Sequence, residues 1–263
     1  MNFELEDKTA IVAAASHGIG KACAMRLAKE GANVVICARG QEALVKTTDE
    51  ISAATGRQVE WVQADLTKPE EIDVLIDATT VAFGDIDILV TNCGGPKRGE
   101  FMTMEDSDWK KAYDMVFMST VRLIRAAIPH MRARKNGRIV NLTSIAVKQP
   151  IDGLILSNAL RAGVIGLAKT LAKELAPFGI TVNNVAPGYT FTNRIYDLAM
   201  EEAKARNISH EDVMAEYHRS IPLERMGRPE EIANLVAFLA SSGAGYITGA
   251  TIPIDGGYHL GLM

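Results

Sequence analysis

Two short stretches carry side chains whose types and spacing can do chemistry. The first is Ala14-Ala15-Ser16-His17-Gly18-Ile19-Gly20. Glycines here let backbone approach a diphosphate, and a helix starting at this point offers free N–H groups and a positive dipole end. The second is "SNALR", with a hydroxyl at Ser157 and a guanidinium at Arg161. Four residues apart on a helix, the two groups share one face. An arginine at that spacing supplies charge and hydrogen-bond donors, but it stays protonated and cannot shuttle a proton. The end of the second apolar run adds Arg39. A carboxylate there would hold a free ribose hydroxyl, whereas a guanidinium suits a 2′-phosphate. His17 places a second basic group in the glycine loop. These residues favour NADP(H), with NAD(H) as the alternative.

The elements that must position these groups are legible as alternating runs. "KTAIVAA", "ANVVICAR", "QVEWVQADL", "IDILVTNCGG", "GRIVNLTS", "ITVNNVAPG" and "YITGATIPIDGG" read as strands. Between them lie helix-periodic segments, among them "HGIGKACAMRLAKEG", "PEEIDVLIDATTVAF" with Pro69 at its start, and "NALRAGVIGLAKTLAKELAP". One continuous helix is expected from about Met104 to Arg134. The alternation argues for βαβ units. Near-continuous apolar strands argue for burial on both faces. The expected fold is α/β: a single-domain, Rossmann-like, doubly wound parallel sheet over 1–263, with ligands beyond the C-terminal ends of the strands.

The bulk properties narrow the function class. The net charge of −4 gives no reason to expect nucleic acid or an acidic membrane as partner. "MNFELEDKTA" lacks the pattern of an export signal, and no apolar run is long enough to span a bilayer. Three cysteines without an export signal suit a reduced, cytoplasmic protein. No His/Cys spacing suggests a metal site.

The motifs together resemble the short-chain dehydrogenase/reductase family, in particular its 3-oxoacyl-acyl-carrier-protein reductases. The matching stretches are Gly18-Ile19-Gly20, Ala64-Asp65, "TNCGG" at 91–95, "GRIVNLTS" at 137–144, "VNNVAPG" at 182–188 with Thr192 beyond, and "ITGATIPIDGG" at 247–257. The resemblance implies a dinucleotide held by Ala14, Ser16, His17, Gly18, Ile19, Gly20, Arg39, Asp65, Leu66, Asn92, Gly94, Arg161, Pro187, Gly188, Thr190 and Thr192. It implies a helical substrate lid at about 190–225, a small-molecule substrate and a homotetramer. The family's catalytic serine corresponds to Ser144.

Elsewhere in the catalytic set the chain departs from the family. The family tyrosine falls at Ser157, its lysine at Arg161 and its asparagine at Val116, and Ala14 replaces the first turn glycine. A lysine beside a tyrosine brings the phenol toward neutral pH as an acid, and a serine hydroxyl is a far weaker acid. Tyr189, beside Pro187-Gly188 at the nicotinamide rim, is the first candidate for a relocated proton donor; Tyr113, Lys148 and Asp152 are further candidates. The expected catalytic group is therefore Ser144, Ser157, Arg161 and Tyr189. The expected function is NADP(H)-dependent oxidoreduction of a carbonyl or alcohol, with two alternatives. One is reduction of a conjugated C=C bond. The other is a non-catalytic dinucleotide-binding protein.

Overall fold

Strands and helices alternate from β1 (Thr9–Ala13) and α1 (Gly18–Lys29) onward in a computed structural model that describes residues 3–262. There follow β2 (Asn33–Ala38), α2 (Gln41–Thr55), β3 (Val59–Gln63), α3 (Pro69–Phe83) and β4 (Ile88–Thr91). The second half runs through α4 (Asp106–Ala112), α5 (Ser119–Arg134), β5 (Gly137–Leu142), α6 (Ile155–Leu175) and β6 (Ile180–Pro187). It closes with α7 (Asn193–Arg206), α8 (His210–Ser220), α9 (Pro229–Ala240) and β7 (Thr251–Ile254). Among the described residues the strands form one parallel sheet in the order β3-β2-β1-β4-β5-β6-β7. The order reverses between β1 and β4, which opens a crevice beyond their C-terminal ends.

Both faces of the sheet are covered, as the apolar strands predict. Successive β1 side chains alternate between two cores. Ala10 and Val12 pack with Cys23 and Leu27 of α1 and Ile232 and Val236 of α9. Ile11 and Ala13 pack with Leu75 of α3, Leu123 of α5 and Ala168 of α6. A third, smaller core joins Ala199, Ala203, Val213, Tyr217, Ile221 and Met226, so α7 and α8 pack on each other beside the sheet. No described helix is long and apolar enough to cross a membrane.

Two sequence expectations are corrected. The helix expected from 104 to 134 is interrupted by a π-helical segment, Tyr113–Met118, between α4 and α5. The Ser119 and Thr120 hydroxyls donate to the carbonyls of Met115 and Val116, at 2.5 and 2.9 Å. These bonds satisfy carbonyl groups that the wider turn leaves short of partners. The final strand is only Thr251–Ile254, because Gly249 has φ of +71° and breaks the extended run before it.

Candidate functional site

A cleft of about 650 Å³ lies at the β1/β4 reversal and runs from Arg39 to Ser157 and Arg161. Its floor is the β1–α1 turn. Helix α1 begins at Gly18, and its N-cap, His17, places no side chain on the first-turn N–H groups. There is no acidic residue in that turn to compete for them. An anion is the natural occupant of such a helix start. The His17 ring sits 2.9 Å from the Ser16 hydroxyl, and Thr47 donates to the Ser16 carbonyl at 2.8 Å. Ala14, Ser16, His17, Gly18 and Ile19 border the cleft, whereas Gly20 faces inward. A Cβ on Gly20 would stand 2.5 Å from the Ala14 carbonyl oxygen, so this glycine lets α1 dock on the turn. Ala14 itself has φ of +48°, a left-handed conformation that a Cβ disfavours.

Arg39, Asp65 and Leu66 border the far end, beyond β2 and β3. Arg39 is exposed there, and its carbonyl accepts from Gln63 Nε2 at 2.8 Å. Burial pushes the Asp65 carboxyl up. Hydrogen bonds from the Thr67 N–H and hydroxyl, with the charges of Arg39 and Lys68, outweigh it and hold the group below the usual carboxylate range. In the middle of the cleft, Asn92 Nδ2 donates to the Ala14 carbonyl at 3.3 Å and ties the end of β4 to the glycine turn. Thr91, Asn141 and Asn184 continue the link across the sheet at 2.7 and 2.9 Å.

At the near end Arg161 is buried, with 8% of its surface exposed. Its Nε donates to Ser157 Oγ at 3.2 Å. Nη1 donates to the carbonyls of Leu142 and Thr143, at 3.3 and 3.2 Å. Nη2 faces Cys93 Sγ at 3.8 Å and the Gly94 carbonyl at 3.5 Å. A guanidinium has five N–H donors. All five meet protein acceptors, and the two at Nη2 are the longest. Arg161 therefore clamps the ends of β4 and β5 to α6 while presenting its weakly held edge to the cleft. Ser157 accepts from Arg161, so its own hydrogen is left to donate. Val116 is buried and supplies no polar side chain.

The stretch after β6 closes the cleft. Pro187, Gly188, Thr190 and Thr192 all border it. Gly188 is required where it stands, because a Cβ there would meet the Asp255 Cβ at 2.6 Å. Thr190 donates to the Gly188 carbonyl at 3.1 Å, and Thr192 donates to the Thr190 carbonyl at 3.3 Å. The Thr192 methyl lies 3.6 Å from where a Gly18 Cβ would be, so the segment spans the cleft.

Tyr189 stands apart from this group. It lines a second cavity of about 450 Å³ together with Ser144, Asp152, Leu198, Glu202, Tyr217 and Tyr258. Ser144 borders both cavities. Its Oγ accepts from the Ala146 N–H at 3.1 Å, which leaves the hydroxyl hydrogen free. The Tyr189 ring stacks on Tyr217 at 4.5 Å and meets Tyr258 edge-on at 5.2 Å. Burial above all, and then Tyr258, push its phenol far above the usual tyrosine range. The structure thus brings Ser144, Ser157 and Arg161 to one cleft, and makes Tyr189 a wall of the neighbouring cavity. Of the other candidates, Tyr113 is exposed and stacked on Phe117 at 5.6 Å.

Sequence reasoning missed Arg194 and Asp197, which border the cleft, and Arg98, Glu202, Tyr217 and Tyr258, which wall the cavity. The available signal was helical spacing. Residues 194 and 198 of α7 point to one opening and 195, 198 and 202 to the other.

The cleft suits a nicotinamide dinucleotide in its open helix start and in the arginines at its two ends. Comparison with known proteins agrees. A family model described as enoyl-(acyl carrier protein) reductase matches residues 13–259. The 3-oxoacyl-acyl-carrier-protein reductase FabG of Staphylococcus epidermidis is 37% identical over 254 residues, covering 97% of this chain and 100% of the relative. Among solved structures, L-sorbose reductase from Gluconobacter frateurii, complexed with NADPH and L-sorbose, superposes with a TM-score of 0.95 at 32% identity, covering 100% of both chains. A variant of actinorhodin polyketide ketoreductase with NADPH superposes at 0.92 with 32% identity, covering 95% of this chain and 97% of the other. The sheet order, the glycine turn and this similarity along nearly the whole chain establish that the protein belongs to the short-chain dehydrogenase/reductase family, as a nicotinamide-dinucleotide-dependent oxidoreductase resembling the 3-oxoacyl-acyl-carrier-protein reductases.

Proposed function

We propose that the protein reduces a carbonyl group with NADPH, and oxidises the corresponding alcohol in reverse, using Ser157 backed by Arg161 in place of a tyrosine and lysine. The observation that carries this reading is the 3.2 Å bond from Arg161 Nε to Ser157 Oγ at the edge of the cleft. A hydroxyl that accepts from a cation becomes a better donor through its own hydrogen. Ser157 and Ser144 each keep one hydrogen to donate, and both border the space where a substrate oxygen would lie.

The bound cofactor supplies the hydride. The residues bind and orient. Ser157 and Ser144 hold the substrate oxygen and stabilise negative charge as it develops there, with the Arg161 cation behind Ser157. The proton that completes the alcohol reaches that oxygen through the Ser157 hydroxyl, which is replenished from water. Ser144 leads into the second cavity, where the rest of the substrate lies against Tyr189, Tyr217 and Tyr258. Helices α7 and α8 serve as the substrate lid. Arg39 selects the 2′-phosphate, a preference supported by the NADPH present in two of the similar structures.

The description of the family model favours a second reading, reduction of a C=C bond conjugated to a carbonyl. The same two hydroxyls would polarise that carbonyl. Following NADPH oxidation with a ketone panel and an enone panel, and identifying the products, separates the two. NADPH binding with no turnover on either panel would sink both and favour a non-catalytic role. We further propose a homotetramer, consistent with exposed apolar side chains at Phe101, Met102 and Leu260. Light scattering on purified protein tests it.

A further inference from the structure

Arg194, in the first turn of α7, lies over the cleft in an unusual way. Its Nε and Nη2 each stand 2.8 Å from the point a Gly95 Cβ would occupy, so the guanidinium rests directly on the glycine backbone. Its one hydrogen bond among the described residues runs from Nη2 to the Pro96 carbonyl at 3.3 Å. Arg194 borders the cleft together with Asp197, one turn further along. No ion pair joins Arg194 to Asp197 or to any other carboxylate among the described residues. Two residues earlier, the Thr192 methyl lies 3.6 Å from the point a Gly18 Cβ would occupy, at the open start of α1. On the other side of the Gly94–Gly95 turn, Arg161 Nη2 reaches the Gly94 carbonyl. Two guanidiniums thus flank one strand-end turn, and the one without a carboxylate partner belongs to the first turn of α7.

We infer that Arg194 is a cofactor-gripping residue: it binds the diphosphate of the dinucleotide from the side opposite the glycine turn and so ties α7 to the bound cofactor. Three features support it. Gly18 at the open start of α1, Thr192 and Arg194 all border the same cleft. The cation has no carboxylate partner to give up, so binding an anion costs no existing ion pair. The same helix walls the substrate cavity through Ile195, Leu198 and Glu202, the first two of which border the cleft as well, so an anion held by Arg194 fixes that wall too. Gly95 belongs to the device, since a side chain there would lift the guanidinium away.

The inference rests on the dinucleotide reading of the cleft, and the test keeps the two apart. NADPH and adenosine 2′-monophosphate, which has no diphosphate, are titrated against wild type, Arg194→Ala, Arg194→Lys and Gly95→Ala. Arg194→Ala is expected to raise the NADPH dissociation constant about tenfold, as for loss of a charge-assisted hydrogen bond. It should leave adenosine 2′-monophosphate unchanged. Arg194→Lys should recover part of the loss. Gly95→Ala keeps the cation but displaces it, so it should reproduce part of the loss and add nothing to Arg194→Ala in the double variant. Hydrogen exchange across 193–206 should slow when NADPH binds wild type and respond less in Arg194→Ala. An NADPH affinity in Arg194→Ala within about twofold of wild type overturns the inference. So does an equal loss for both ligands, which would mark a general field effect. A change confined to the substrate KM, with cofactor affinity intact, overturns it too. A wild type that binds no NADPH fails the cofactor reading instead.

Discussion

Arg161 Nε donates to Ser157 Oγ from one turn further along α6, and the remaining guanidinium donors hold the ends of β4 and β5. The same side chain therefore shapes the cleft and, in the proposed mechanism, activates its hydroxyl. Ser157→Ala should lower kcat about 10²-fold or more with a small change in KM, because the lost bond strengthens as charge develops on the substrate oxygen. Steady-state kinetics on the best substrate of the carbonyl panel checks this. An unchanged kcat would remove Ser157 from the chemistry.

Arg161→Lys should behave as a structural variant as well as a kinetic one. Three ammonium hydrogens cannot cover five acceptors spread over three segments. Denaturant unfolding should show a loss of about 1–3 kcal/mol, and NADPH should bind more weakly. A variant as stable as wild type would mean that the clamp contributes nothing.

Arg39→Asp should reverse the cofactor preference. It replaces a partner for a 2′-phosphate with an acceptor for a ribose hydroxyl. Fluorescence titration with NADPH and NADH reads the ratio directly. A wild type that prefers NADH would exclude the role given to Arg39.

Ala14→Gly should stabilise the protein. Ala14 holds φ of +48°, where an L side chain costs about 1–2 kcal/mol. The greater freedom of glycine in the unfolded chain returns part of that. The expected gain is about 0.5–1 kcal/mol in denaturant unfolding. A loss of stability would show that the Ala14 methyl packs better than its backbone angle suggests.

Glu231 should make the segment entering α9 acid-sensitive. The Arg225 guanidinium first, and then the Arg228 N–H, hold its carboxyl down to about 2. A lowered folded-state value means a contribution that is present above the unfolded carboxylate value near 4.5 and lost as pH falls toward 2. Unfolding measured between pH 5 and 2 should show a smaller acid-dependent decline for Glu231→Gln than for wild type. Parallel declines would remove this ion pair from the acid response.

The sequence by itself determined the sheet, the glycine turn and most of the named residues that border the cleft. Each rests on local pattern: apolar runs that must be buried on both faces, glycines before a helix start, a hydroxyl and a cation one turn apart. It could not show the π-helical break at Tyr113–Met118, because the hydroxyls that support it sit in an otherwise ordinary helical pattern. Nor could spacing show how Arg161 spends its donors, since Gly94, Leu142 and Thr143 reach it only when β4, β5 and α6 are assembled. Tyr189 is next to Gly188 in the chain, yet its ring turns into the neighbouring cavity, where Tyr217 and Tyr258 receive it. Arg194 lies 99 residues from Gly95 in sequence and rests on its backbone in the fold. Contacts between distant segments form only where packing forces them together, so tertiary structure alone decided which cations face the cleft and which are already committed.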